Sequence, residues 1–140
     1  MNVEKLVEEL KRDEGCVLTA YQDHLSFWTI GYGRMIDKRK NGGISQEEAE
    51  YLLQNDIKKI LRELDKRLPW FLSLPDGVQR GLANMNYQMG IQGLLGFKTM
   101  LLHVANGDYK AAGKAARQSL WFKQTPERAS RVIALIEAGK

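Results

Sequence analysis

The 140 residues of this chain fit one domain, or one compact body of two small lobes, and suffice to bury a single core. Hydrophobic residues make up 44% and charged residues 27%, a globular balance that excludes disorder along the whole chain. The 21 Lys and Arg exceed the 17 Asp and Glu by +4, which suits a polyanionic partner and leaves nucleic acid, anionic membrane and anionic cell-wall polymer open.

The N-terminus is charged and amphipathic, and no apolar run approaches the ~18 residues of a membrane span. Asn2 is placed to cap a first helix, with Val3, Leu6, Val7 and Leu10 on its apolar stripe. Gly15 should end that helix in the left-handed conformation. Cys16 is the single cysteine, so no internal disulfide exists, and it reads as a small buried apolar residue. From Cys16 to Gly33 the pattern turns to β-formers, Val17 to Tyr21 and then Phe27 to Tyr32. A hairpin or three-stranded ribbon is expected there, turning near Gln22-Asp23-His24 and at Gly31 or Gly33.

Asp37 to Gly43 reads as a polar loop, and its Lys38-Arg39-Lys40 run as a solvated stretch. Ser45-Gln46-Glu47-Glu48 is a capping box. The stripe Ala49, Leu52, Leu53, Ile57, Ile60, Leu61, Leu64 and Leu68 then predicts a helix of about twenty residues, ~30 Å long, which Pro69 ends. Further stripes follow: Val78, Leu82, Met85 and Met89 before Gly90; Leu94, Phe97, Leu101 and Val104 before Asn106-Gly107; and Tyr109, Ala112, Ala116 and Leu120. Thr125 is a natural N-cap with Pro126 at the first helical position, leading into Ala129, Val132, Ile133 and Ile136. The fold class is α+β and mostly helical.

Several chemistries lack their residues. His24 and His103 lie far apart, there is no HExxH or CxxC spacing, and no Gly-rich phosphate loop occurs. No metal site and no cofactor is expected. Chemistry concentrates between Asp13 and Arg34. Glu14 stands at a helix C-terminus, where the dipole disfavours its anion, with apolar Val17, Leu18, Phe27 and Trp28 near in sequence. Both features favour a protonated carboxyl, as a general acid requires. Asp23 falls at a turn where water reaches it, and Thr29 offers a hydroxyl from the next strand. Two carboxyls in contrasting environments suit glycosidic cleavage, although surface carboxylates at a helix end and a turn are commonplace.

Glu14, eight residues, Asp23, five residues and Thr29 match the signature Glu-x8-Asp/Cys-x5-Thr. With Thr29-Ile30-Gly31-Tyr32-Gly33, Tyr87-Gln88-Met89-Gly90 and Gln124-Thr125-Pro126-Glu127-Arg128-Ala129, the chain resembles the phage-type lysozymes, the glycoside hydrolase family that includes the T-even endolysins. The resemblance implies a lysozyme-like two-lobe fold. A small β lobe would cover about residues 12–44, and a connecting helix 45–68. The helical lobe would take 69–140 together with 1–11, and the long helix would permit hinge motion.

It further implies an N-acetylmuramidase that inverts at the anomeric carbon. Glu14 would be its acid, and Asp23 with Thr29 would hold water. Arg128 would approach and orient Glu14, while Met35, Tyr87 and Gln88 would touch the glycan or its peptide stem. Tyr87 reads equally as a core aromatic. The partner would be the peptidoglycan glycan strand, met as a monomer with no nucleic acid and no stable membrane anchor. The protein would wait in the host cytoplasm for holin-dependent release and act on the wall in the periplasm.

Some positions depart from the T-even pattern. Arg34 replaces a histidine that supports the lobe, the 37–43 loop is short, and Met100 and Ala115 stand where polar glycan contacts are usual, so no binding role passes to them. Two other readings compete. A lytic transglycosylase needs an acid but no water-holding partner, so Asp23 and Thr29 argue against it. A non-enzymatic basic module binding wall polymer or nucleic acid would use helices such as those around Gly90–Gly93, whose faces carry Met, Leu and Ala rather than base-reading residues.

Overall fold

The computed structural model describes residues 1–36 and 43–140. The basic run Lys38-Arg39-Lys40 lies outside the described residues. The chain divides into two compact units, Met1–Leu52 and Leu53–Lys140. Among the described residues no helix is long and apolar enough to cross a membrane.

The first unit opens with α1, Val3–Glu14, whose first turn is closed by the Lys5 N–H donating to Asn2 Oδ1 at 3.0 Å. Gly15 ends it at φ 66 and ψ 175, with positive φ but outside the left-handed helical region expected of it. Three antiparallel strands follow in the order β1 (Val17–Gln22), β2 (Trp28–Gly31) and β3 (Arg34–Met35), confirming the ribbon. Thr29 in the central strand pairs with Tyr21 on one side and Met35 on the other. The β1–β2 register shifts between Val17 and Tyr21, marking a bulge. Cys16 is exposed rather than buried, because it precedes a strand whose residues are mostly exposed themselves.

The long helix α2, Gln46–Arg67, starts on the capping box. The Glu48 N–H donates to Ser45 Oγ, and the Ser45 N–H donates back to Glu48 Oε1, each at 3.1 Å. Arg34 reaches the same carboxylate at 3.0 Å, tying β3 to the helix start. Ser45 and then Arg34 hold the Glu48 carboxyl below its usual range. The boundary between the units falls within α2.

In the second unit a 3-10 turn at Phe71–Ser73 leads into α3 (Asp76–Leu95), α4 (Lys98–Ala105), α5 (Tyr109–Arg117), α6 (Leu120–Gln124) and α7 (Pro126–Ala138). Its core gathers Leu64, Phe71, Leu82, Met85, Leu94, Met100, Ile133 and Ile136, all essentially without solvent exposure. Two expected helices divide. Leu94 belongs to α3 and Phe97 is non-helical, so the stripe to Val104 spans two helices. Leu120 opens the separate α6 and is exposed, because Ser119 caps a new helix by accepting the Phe122 N–H at 3.2 Å. Gly90, at φ 78, breaks α3 where the stripe ends, and the helix resumes at once.

Close helix packing depends on missing side chains. A methyl at Gly113 of α5 would stand 2.6 Å from Glu137 Cδ of α7. That carboxylate accepts both terminal guanidinium nitrogens of Arg117, which hold its pKa below the usual range. A methyl at Gly81 of α3 would stand 2.8 Å from Ile136 Cγ1 and 3.5 Å from the Val132 carbonyl. Overpacking of this kind costs about 1–3 kcal/mol, against about 1 kcal/mol of helix propensity that Ala gains over Gly. Gly81→Ala should therefore lower the urea midpoint without changing the slope. An unchanged or raised midpoint would show that α7 slides freely on α3.

Candidate active site

Asp23, Thr29 and Glu14 all belong to the first unit, and local backbone chemistry sets each one. Asp23 follows β1 and holds the turn into β2. Its Oδ1 accepts the N–H groups of Leu25 and Phe27, both at 2.9 Å, while the Asp23 N–H donates to the Phe27 carbonyl at 2.9 Å. This is the side-chain-to-backbone bonding that makes aspartate a turn former. One carboxylate oxygen is thereby fixed to the protein. Ser26 takes φ 67 inside the turn, the one non-glycine residue in the left-handed region among the described residues.

Thr29 is buried to 5% exposure, and its hydroxyl donates to the Phe27 carbonyl at 3.1 Å. The Phe27 backbone thus stands between the two predicted water-holding residues, its N–H on Asp23 and its carbonyl on Thr29. Because the hydroxyl proton is spent on that carbonyl, Thr29 faces any further partner as an acceptor. Met35 is cross-strand from Thr29, so their side chains share a face of the sheet with Tyr21. The sequence marks Phe27 as a β-former and an apolar neighbour of Glu14, and its bridging backbone is a further role. The signal was an aspartate opening a short turn, whose carboxylate reaches amides two and four residues on.

Glu14 is the last residue of α1. It is exposed, and so are Val17 and Leu18, the latter by 83%, so the apolar surround expected for the acid is not built from these residues. The strand that carries them leaves them uncovered. The carboxyl lies instead against Gly33 in the β2–β3 turn.

Tyr87, Gln88 and Arg128 lie in the second unit. Tyr87 is half exposed and not a core aromatic. It lines a recess of about 200 Å³ together with Ile57, Ala83, Asn84 and Arg128. The Arg128 Nε donates to Asn84 Oδ1 at 3.0 Å, which fixes the guanidinium against α3. Gln88 is engaged at both ends of its amide: Trp121 Nε1 donates to its oxygen at 2.9 Å, and its nitrogen donates to Thr125 Oγ1 at 3.4 Å. Thr125 in turn donates to the Trp121 carbonyl at 3.1 Å, which is why its side chain does not cap α7 as expected. Trp121 completes the knot edge-on to Phe97, with ring centroids 5.8 Å apart. Met100 is core, at 2% exposure.

The model of the family described as phage lysozyme matches residues 11–136, a span that includes Glu14, Asp23, Thr29 and Arg128. The chain belongs to the phage lysozyme family. As a member it is a lysozyme-type peptidoglycan hydrolase domain. It is 35% identical to the pre-baseplate central spike protein Gp5 of Enterobacteria phage T4, over 96% of this chain but 28% of that protein's length. It is 28% identical to a probable T4-type lysozyme of Dictyostelium discoideum, covering 98% of this chain and 96% of the relative. An endolysin of Acyrthosiphon pisum secondary endosymbiont phage 1 is 29% identical over 86% of this chain and 79% of its own.

The turn geometry separates two roles of Asp23. Asn retains the Oδ1 acceptor and loses the charge, whereas Ala removes the acceptor. Asp23→Asn of this lysozyme should keep the wild-type protection of the Leu25 and Phe27 amides in hydrogen exchange, and Asp23→Ala should lose it. Equal protection in the Ala variant would show that the turn stands without the carboxylate.

Proposed function

We propose that this phage lysozyme domain cleaves the β-1,4 bond between N-acetylmuramic acid and N-acetylglucosamine with inversion, in the service of host lysis. The observation that carries the reading is the shared Phe27 backbone between Asp23 and Thr29. It holds a carboxylate and a hydroxyl acceptor at one short turn. Two acceptors can take both protons of a single water and leave its lone pair for attack.

In the proposed step Glu14 gives its proton to the glycosidic oxygen as the C1–O bond breaks. The water oxygen bonds C1 from the opposite face, and Asp23 accepts the proton that this water sheds. Thr29 orients the water and gains no proton. Met35, beside Thr29 on the sheet, contacts the sugar. Tyr87 offers an exposed ring at the rim of its recess, and Gln88 contributes to substrate binding from α3, its amide held by Trp121 and Thr125.

The same reading has the protein working as a monomer, held in the host cytoplasm until a holin releases it to the wall in the periplasm. A second setting is favoured by the likeness to a baseplate spike protein, in which a lysozyme domain would work as part of a larger assembly.

Removing a general acid costs about 10²–10⁴-fold in rate. Glu14→Gln and Asp23→Asn should each abolish the clearing of outer-membrane-permeabilised Gram-negative cells while unfolding at the wild-type temperature. Products of the wild type should carry reducing muramyl ends by mass spectrometry. Full lytic activity in Glu14→Gln would remove the acid assignment, and anhydro-muramyl ends would make the protein a transglycosylase.

A further inference from the structure

Two glycines of the small sheet share a positive φ but have different surroundings. Gly31 closes β2 at φ 68, and Gly33 sits in the β2–β3 turn at φ 66. A methyl group on Gly31 would meet nothing within 4 Å. On Gly33 it would stand 2.9 Å from Glu14 Cδ and closer still to Oε2. The obstructing atoms therefore belong to the carboxyl group assigned as the acid, at the free end of a flexible side chain.

The residue before Gly33 faces the same helix. Lys11 lies three positions ahead of Glu14, on the same side of the last turn of α1. Its ammonium stands 5.7 Å from the centroid of the Tyr32 ring, within the range of a cation–π contact. Two consecutive turn residues thus meet two residues of one helical face.

We infer that the Tyr32–Gly33 turn positions Glu14: the bare backbone of Gly33 is the wall against which the carboxyl rests, and Tyr32 beneath Lys11 ties that wall to α1. The inference rests on the reading of Glu14 as the general acid. A general acid must bring its proton within hydrogen-bond reach of the leaving oxygen. A side chain at position 33 is tolerable for folding, because a flexible carboxyl moves aside. It is costly for catalysis, because the group that moves is the acid. Gly33 touches no substrate in this account and is a positioning residue.

Gly31 supplies the control, since alanine there meets the same unfavourable positive φ without the collision. Gly33→Ala and Gly31→Ala of the full chain should lose similar thermal stability. Turnover on solubilised glycan strands should fall about 10–100-fold in Gly33→Ala alone, with KM within about twofold of wild type. The Hα–Hβ couplings of Glu14, measured by NMR on glutamate-labelled protein, should change in Gly33→Ala and not in Gly31→Ala. Equal turnover losses in the two variants, or unchanged Glu14 couplings in Gly33→Ala, would overturn the positioning role. A fully active Glu14→Gln variant would remove the acid assignment itself, whatever the couplings show, and the inference with it.

Discussion

Between β1 and β2 the chain reverses over a few residues, and the amides of that reversal need acceptors. Asp23 provides one oxygen for two of them, and Thr29 takes the carbonyl of the same Phe27 whose N–H Asp23 holds. The bonds that make the turn also fix the Asp23 carboxylate and the Thr29 hydroxyl to the two backbone groups of Phe27. Loss of either side chain disturbs the reversal as well as the proposed chemistry, so substitutions that keep the acceptor are the informative ones. Thr29 is secured further by its place in the central strand, between Tyr21 and Met35.

Glu14 is set by different means. The Asn2-capped helix α1 ends on it, and the Gly15 N–H closes that last turn on the Lys11 carbonyl. Across from it the β2–β3 turn presents backbone with no side chain. In the second unit the rule repeats on a larger scale: Gly81 and Gly113 let α7 approach α3 and α5, and α7 carries Arg128 to Asn84. Small residues at the contact points place the functional groups, while the large ones fill the core.

Where a local interaction decides the structure, the sequence was easily read. The Asn2 cap, the reciprocal Ser45–Glu48 box, Pro69 as a stop and the glycines of the ribbon all act within a few residues, and all occur as expected. Periodicity failed where a new cap interrupts it. Leu120 continues the stripe of α5 in register, yet Ser119 starts a fresh helix and leaves it exposed. Thr125 has the residue type of a cap, but its hydroxyl is drawn to the Trp121 carbonyl, a partner in the neighbouring α6. Cys16 and Glu14 were expected among apolar neighbours, and adjacency in sequence did not make a layer over the strand. The three positions proposed as catalytic became legible through their spacing and the family likeness. Their supports, Phe27 and Gly33, depend on backbone geometry that composition does not display.

In the proposed mechanism a single water, held by Asp23 and Thr29, attacks the face opposite the bond that Glu14 protonates. Proton NMR of a defined glycan oligomer in the first minutes of digestion, before mutarotation, tests it most directly. Direct attack by water on a β bond gives the α anomer first. Initial accumulation of the β anomer would mean retention through a second displacement and would exclude direct attack by that water.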